Sequence, residues 1–150
     1  MNALIRILSA LLVATLPPSS VRAGTPTEQD ISRGAADYRV ACSSCHGLSA
    51  KGDGVLADLL KIRPKDLTRI ARRNNGEFPL ERIRRIIDGR ADVRSHGMRE
   101  MPVWGLSFQD PGRADNQEAE VRERIDRLIA FLQAIQEPSP GPQERRPSTR

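Results

Sequence analysis

Five consecutive residues carry the chemistry available to this chain: Cys42-Ser43-Ser44-Cys45-His46. Two thiols three positions apart lie on one side of a helical turn, spaced to form thioethers to both vinyl groups along one edge of a haem. The adjacent imidazole can turn under the ring and offer a nitrogen to the iron. Three other chemistries compete for the same residues. A thioredoxin-type redox pair asks for a βαβ setting, and the chain has no strand pattern. A zinc site asks for a fourth strong ligand, and there is no third Cys. A structural disulfide accounts for two cysteines and leaves His46 unexplained. The expected cofactor is therefore one covalent haem c, with Cys42 and Cys45 as thioether donors and His46 as an iron ligand.

An iron held by His46 has a sixth position to fill, and the downstream candidates are His96, Met98 and Met101. Met101 stands in Met101-Pro102-Val103-Trp104-Gly105, where Pro102 stiffens an irregular loop able to present a thioether to a fixed point. Met98 lacks such a neighbour and reads equally well as a filler of gaps. His96 is the stronger ligand for ferric iron and stays the lesser alternative to Met101. A His/Met pair raises the reduction potential relative to His/His. It also occupies both axial sites, which favours electron transfer over O₂ chemistry.

These residues must be positioned by a small helical frame. The chain has 150 residues, 38% hydrophobic and 29% charged, with only 3% aromatic. That composition excludes a collagen-like fibre and a disulfide-dense mini-protein. No apolar run reaches the roughly 20 residues of a membrane span. Residues 1–23 read as a cleaved secretory signal. Arg6 is the positive end, 7–16 the apolar stretch, Pro17-Pro18 the break and Val21-Arg22-Ala23 the cleavage site. The expected location is the periplasm. A short lead, 24–29, precedes the domain, and 137–150, rich in Pro and Arg, reads as a disordered tail.

Two amphipathic segments should pack together. Ile31, Ala35, Tyr38, Cys42 and Cys45 follow helical spacing, with Thr27 or Asp30 as the cap and Gly34 placed for close helix approach. Val121, Ile125, Leu128, Leu132 and Ile135 repeat that spacing before Pro138, with Phe131 beside them. Between them the spacing predicts short helices over 55–61 and 67–73. A better one runs over Leu80–Asp88, stopped by Gly89. Positive charge concentrates in the middle: 61–100 carries 12 basic and 6 acidic residues, whereas 24–60 carries 3 and 5. Nucleic-acid binding is excluded by the export signal and by the lack of aromatic residues among the basic ones.

The chain resembles the class I monohaem cytochromes c of bacteria over Asp30 to Gln136. The likeness rests on Gly34 and Tyr38, on Cys42–Gly47, and on Met101-Pro102 with Trp104-Gly105. It implies an all-α fold wrapped round the haem, with N- and C-terminal helices crossing so that Gly34 and Tyr38 meet Phe131 and Leu132. It further implies that the Pro64 carbonyl accepts from the His46 imidazole, that Leu67 lines the haem pocket, and that Trp104 packs near the ligand loop or a propionate. Arg85 and Arg90 are candidate propionate partners. Two departures stand out. The chain relies on Arg where relatives ring the haem edge with Lys, and Arg94–Glu100 is unusually polar.

The expected role is a non-enzymatic, monomeric periplasmic electron carrier that docks on redox proteins through their acidic patches. The alternatives are a redox subunit fixed to a dehydrogenase or oxidase, and a sensor or peroxidatic haem with an open sixth position.

Overall fold

The computed structural model describes residues 25–90 and 101–138. The signal segment, His96, Met98 and all of the tail after Pro138 lie outside them. The described residues form five α-helices: α1 (Glu28–Ala41), α2 (Ser43–His46), α3 (Leu80–Asp88), α4 (Trp104–Ser107) and α5 (Glu118–Ala134). Single 3-10 turns at Ala57–Leu59, Leu67–Arg69 and Arg72–Asn74 join them, and no strand occurs among these residues.

Helix α1 starts where two orphan backbone donors are satisfied reciprocally. Thr27 Oγ1 accepts from the Asp30 amide at 3.2 Å, and Asp30 Oδ2 accepts from the Thr27 amide at 3.0 Å. Thr27 is thus the cap and Asp30 its reciprocating partner. The expected stripe from Ile31 to Cys45 is broken. α1 ends at Ala41, Cys42 takes φ −118° and ψ −30°, and a new helix begins at Ser43. The amides of Cys45 and His46 still donate to the Cys42 carbonyl, at 3.2 and 2.9 Å, so the two cysteines remain on one turn.

Gly34 is where α1 meets α5. A Cβ at Gly34 would lie 1.9 Å from the Arg127 carbonyl oxygen and 3.1 Å from Phe131 Cβ. One turn on, the rings of Tyr38 and Phe131 stand 5.1 Å apart and tilted by 47°. The Asp37 carboxylate accepts from Arg124 Nε at 2.9 Å across the same crossing. Val121, Ile125, Leu128 and Leu132 are all buried on α5. The helix stops at Ala134, ahead of Pro138, with Ile135 as its cap.

α3 spans Leu80–Asp88 as the spacing predicts, with Gly89 in the left-handed region at φ 69°. Its Arg84 donates from Nε to Asp126 at 2.9 Å, tying it to α5. The expected helices over 55–61 and 67–73 shrink to 3-10 turns. The second of these stretches is held by a residue whose role the pattern does not reveal. Gln136 Nε2 donates to the Leu67 and Leu132 carbonyls at 2.8 and 2.6 Å, and its Oε1 accepts from the Ala71 amide at 2.9 Å. Glu137, placed by sequence at the head of the tail, is fastened too: its amide donates to the Thr68 carbonyl at 2.7 Å.

Gly34→Ala forces a methyl into backbone that cannot move aside. The substitution is expected to lower stability by at least ~2 kcal/mol, the cost of overpacking a tight contact. Chemical denaturation of the holoprotein measures it.

Candidate functional site

The sequence motif sits on the short helix that α1 hands over to α2. Its far end is held by Tyr38, whose buried hydroxyl donates to the Gly47 carbonyl at 2.8 Å. Gly47 adopts φ 78°, and the Asp53 carboxylate occupies the place of its missing side chain. The loop then returns along the motif: the amides of Gly52, Gly54 and Leu56 donate to the carbonyls of His46, Cys45 and Ser44 at 2.9, 3.2 and 2.9 Å. This ladder fixes the turn from behind.

In front of it opens a cavity of about 440 Å³. Tyr38, Cys42 and His46 form one wall; Leu67 and Ile70 form a second; Ile83, Ile86 and Ile87 of α3 form a third. Leu128 and Leu132 of α5 and the side chain of Met101 complete it. Lys65, Arg73 and Arg82 also line it, and no Asp or Glu is among the lining residues. A second concavity, of about 520 Å³ over residues 106–118, is polar and lined by none of the motif residues.

Both cysteines are free thiols, and each is half-buried. Burial, helped by the nearby Asp37 and Cys45, pushes the Cys42 thiol up to about 12. A thiol that stays protonated at neutral pH is unlike the activated thiolate of a disulfide exchanger. The His46 ring is shifted the other way: burial lowers its pKa below the usual 6.5, and the backbone of Lys65 opposes this. The neutral imidazole favoured there is the metal-binding form. His46 Nδ1 is buried without a hydrogen-bond partner.

The structure brings together Cys42, His46, Leu67 and Met101 among the residues singled out by sequence. Cys45, Pro64 and Trp104 are not among those lining the cavity. The Pro64 carbonyl does not accept from His46. It packs on Gly52, whose absent Cβ would lie 2.1 Å from it, because the turn at Gly52 (φ 79°) folds the backbone onto that oxygen. Trp104 stacks on Phe108, with centroids 5.3 Å apart. The expected propionate partners also differ. Arg85 does not line the cavity, and Arg90 is engaged elsewhere. Arg90 Nε and Nη2 donate to Asp88 at 2.7 and 2.8 Å, while Nη1 donates to Glu118 at 2.5 Å. Lys65, Arg73 and Arg82 are the cations that line the cavity, a placement that helical periodicity alone does not reveal.

Residues 29–116 match the family described as cytochrome c oxidase, cbb3-type, subunit III. The chain belongs to this family. It is a c-type cytochrome with the all-α cytochrome c fold, and its function is haem-based electron transfer. No curated protein and no solved structure matches it. Haem c, the group this cytochrome family implies, suits the residues present. The walls are largely aliphatic, a buried imidazole nitrogen lacks a partner, two free thiols share one turn, and the charged residues among the lining are all basic.

Arg90 holds the carboxyls of Asp88 and Glu118 below their ordinary range, chiefly by hydrogen bonding. A carboxyl depressed in the folded state contributes stability above its unfolded pKa and loses it as pH falls through the folded value. Asp88→Asn is therefore expected to be less stable than wild type at pH 7, with the difference shrinking as pH falls from the ordinary aspartate value of about 4 through the lower folded value. Denaturant midpoints measured across that range check it.

Proposed function

We propose that this cytochrome c is a periplasmic, monomeric electron carrier holding a single haem c through thioethers from Cys42 and Cys45. His46 and Met101 are its axial ligands. The observation that supports this best is that Met101, 55 residues beyond His46 in sequence, lines one apolar-walled cavity together with Cys42 and His46. When bound, the haem iron supplies the one-electron couple. His46 contributes a neutral imidazole whose orientation follows from the Tyr38–Gly47 bond and the loop ladder behind it. Met101 contributes a soft, neutral thioether that favours ferrous iron. Leu67 and the α3 isoleucines keep water from the ring faces. Lys65, Arg73 and Arg82 hold the propionates and give the cavity mouth its positive charge. An acidic patch on a redox partner complements that charge and speeds encounter. His96 and Met98, outside the described residues, are the competing sixth ligands. The signal segment and the tail after Glu137 complete the proposed chain organisation.

A second reading, a redox subunit resting on an oxidase, draws support from one specific feature. Val40, Leu48, Val55 and Leu59 are 82, 79, 87 and 79% exposed. Leu48, Val55 and Leu59 come from the loop laddered onto Cys45 and His46. A chain with so little apolar material leaves these aliphatics outside, as expected of a surface that another protein covers. Among the described residues no helix is long and apolar enough to cross a membrane.

Mature protein made in cells that attach haem c is expected to be red and to keep its pigment in acid acetone. Loss of the pigment overturns the covalent attachment. Met101→Ala is expected to convert a reduced haem that resists CO into one that binds it, whereas an unchanged six-coordinate spectrum overturns Met101 as a ligand. Re-oxidation of the reduced protein by oxidase-containing membranes should slow as salt rises if charge steers docking. Size-exclusion of native extract separates a free carrier from a stable complex.

A further inference from the structure

The Met101 segment rests on an ion pair that the haem pocket itself does not use. Gly105, four residues after Met101, has no room for a side chain: a Cβ there would lie 2.5 Å from Asp88 Oδ1 and 2.6 Å from Arg90 Nε. The carboxylate and guanidinium therefore lie against the Gly105 backbone. Their geometry is rigid. Arg90 grips both oxygens of Asp88 from Nε and Nη2, and its own amide donates to Asp88 Oδ1 at 3.1 Å. Nη1 reaches Glu118 at the start of α5, so the pair is braced against the helix that forms the cavity floor. One residue along α3, Gly89 brings its backbone to Val103: a Cβ there would lie 3.2 Å from Val103 Cα. The segment thus meets the end of α3 at two points, Val103 and Gly105. Both follow Met101 after the fixed φ of Pro102.

On its other side the segment is tied by Trp104 to Phe108. The Arg124 guanidinium lies 4.1 Å from the Phe108 ring centroid. Arg124 in turn grips Asp37 of α1. The aromatic stack connects the segment to the helix crossing, and the ion pair bears on its backbone.

We infer that the Asp88–Arg90–Glu118 triad is the positioning group for Met101, a bidentate brace on which Gly105 is seated so that the sulfur stays against the iron. The inference rests on Met101 as the axial ligand. A thioether is a soft donor and ferric iron a hard acceptor, so that bond depends on how firmly the loop holds the sulfur in place. Arg suits the task because its planar fork fixes two carboxylate oxygens at once, which an ammonium cannot do. The side chains of Arg90 and Asp88 are 31 and 24% exposed, shielded enough for the pair to outweigh an ordinary surface bridge.

The test uses full-length holoprotein carrying Arg90→Gln, Arg90→Lys or Gly105→Ala. Met101→Ala serves as reference and Arg69→Gln, which removes the more exposed Arg69 pairs with Glu137 and Asp66, as a control away from the Met101 segment. Haem content and helical circular dichroism report folding. The readouts of position are the long-wavelength ferric iron–thioether band and CO binding by the reduced protein. Arg90→Gln and Gly105→Ala should keep haem and helix content, weaken the band, and raise apparent CO affinity about tenfold by enlarging the sulfur-off population. Arg90→Lys should fall between, and Arg69→Gln should match wild type. If Arg90→Gln loses helix content, Arg90→Lys and Gly105→Ala decide. An unchanged band and unchanged CO binding in these variants, with Met101→Ala altered, overturns the brace alone. An unaltered Met101→Ala overturns both the brace and the ligand.

Discussion

At Gly34 the backbones of α1 and α5 approach so closely that a single methyl group would keep them apart, and the placement of the site follows from that contact. α1 carries Tyr38 and gives way at Cys42 to the motif helix, so whatever orients α1 orients the haem motif. α5 carries Leu128 and Leu132, the cavity floor, and its C-terminal Gln136 staples down the segment that supplies Leu67. The crossing therefore sets the motif, the floor and one wall relative to one another. The remaining wall, α3, is held to α5 by Arg84 and Asp126. Because the Gly34 contact is backbone against backbone, it carries little of the slack that flexible side chains would allow.

Charge divides the same frame into two kinds of arginine. Arg84, Arg90 and Arg124 bridge helices through carboxylates, and the structure depends on their being satisfied. Lys65, Arg73 and Arg82 stand at an apolar cavity without a carboxylate among its lining. A count of basic residues merges the two groups. Only the fold shows which cations bridge helices and which line the cavity.

Much of this was legible in the residues themselves. Helical spacing marked α1, α3 and α5, because their buried faces repeat cleanly and each has an end signal: Thr27, Gly89 or Pro138. The Cys42–His46 turn was legible because thiol spacing and an adjacent imidazole are a chemical constraint independent of the fold. The break at Cys42 was not, since the periodicity continues through it and only backbone dihedrals record the change of helix. The contacts of Pro64 and Arg90 were not legible for a related reason. Their partners, Gly52 for one and Asp88 with Glu118 for the other, depend on turns and tertiary approach that one-dimensional patterns do not contain. The role of Gln136 left no mark at all, because a lone amide near a helix end looks like any solvated residue.

The contacts that close the fold join its extremes. Gly34 meets Arg127, Asp37 meets Arg124, and Gln136 secures Leu67. Such long-range closure is slow, because nearly the whole chain must be present before the ends can find each other. During biogenesis the nascent polypeptide would thus remain open until its last helix emerges. Until then both cysteines are uncovered, and closure leaves them half-buried. The topology makes compaction wait on the carboxyl-terminal helix.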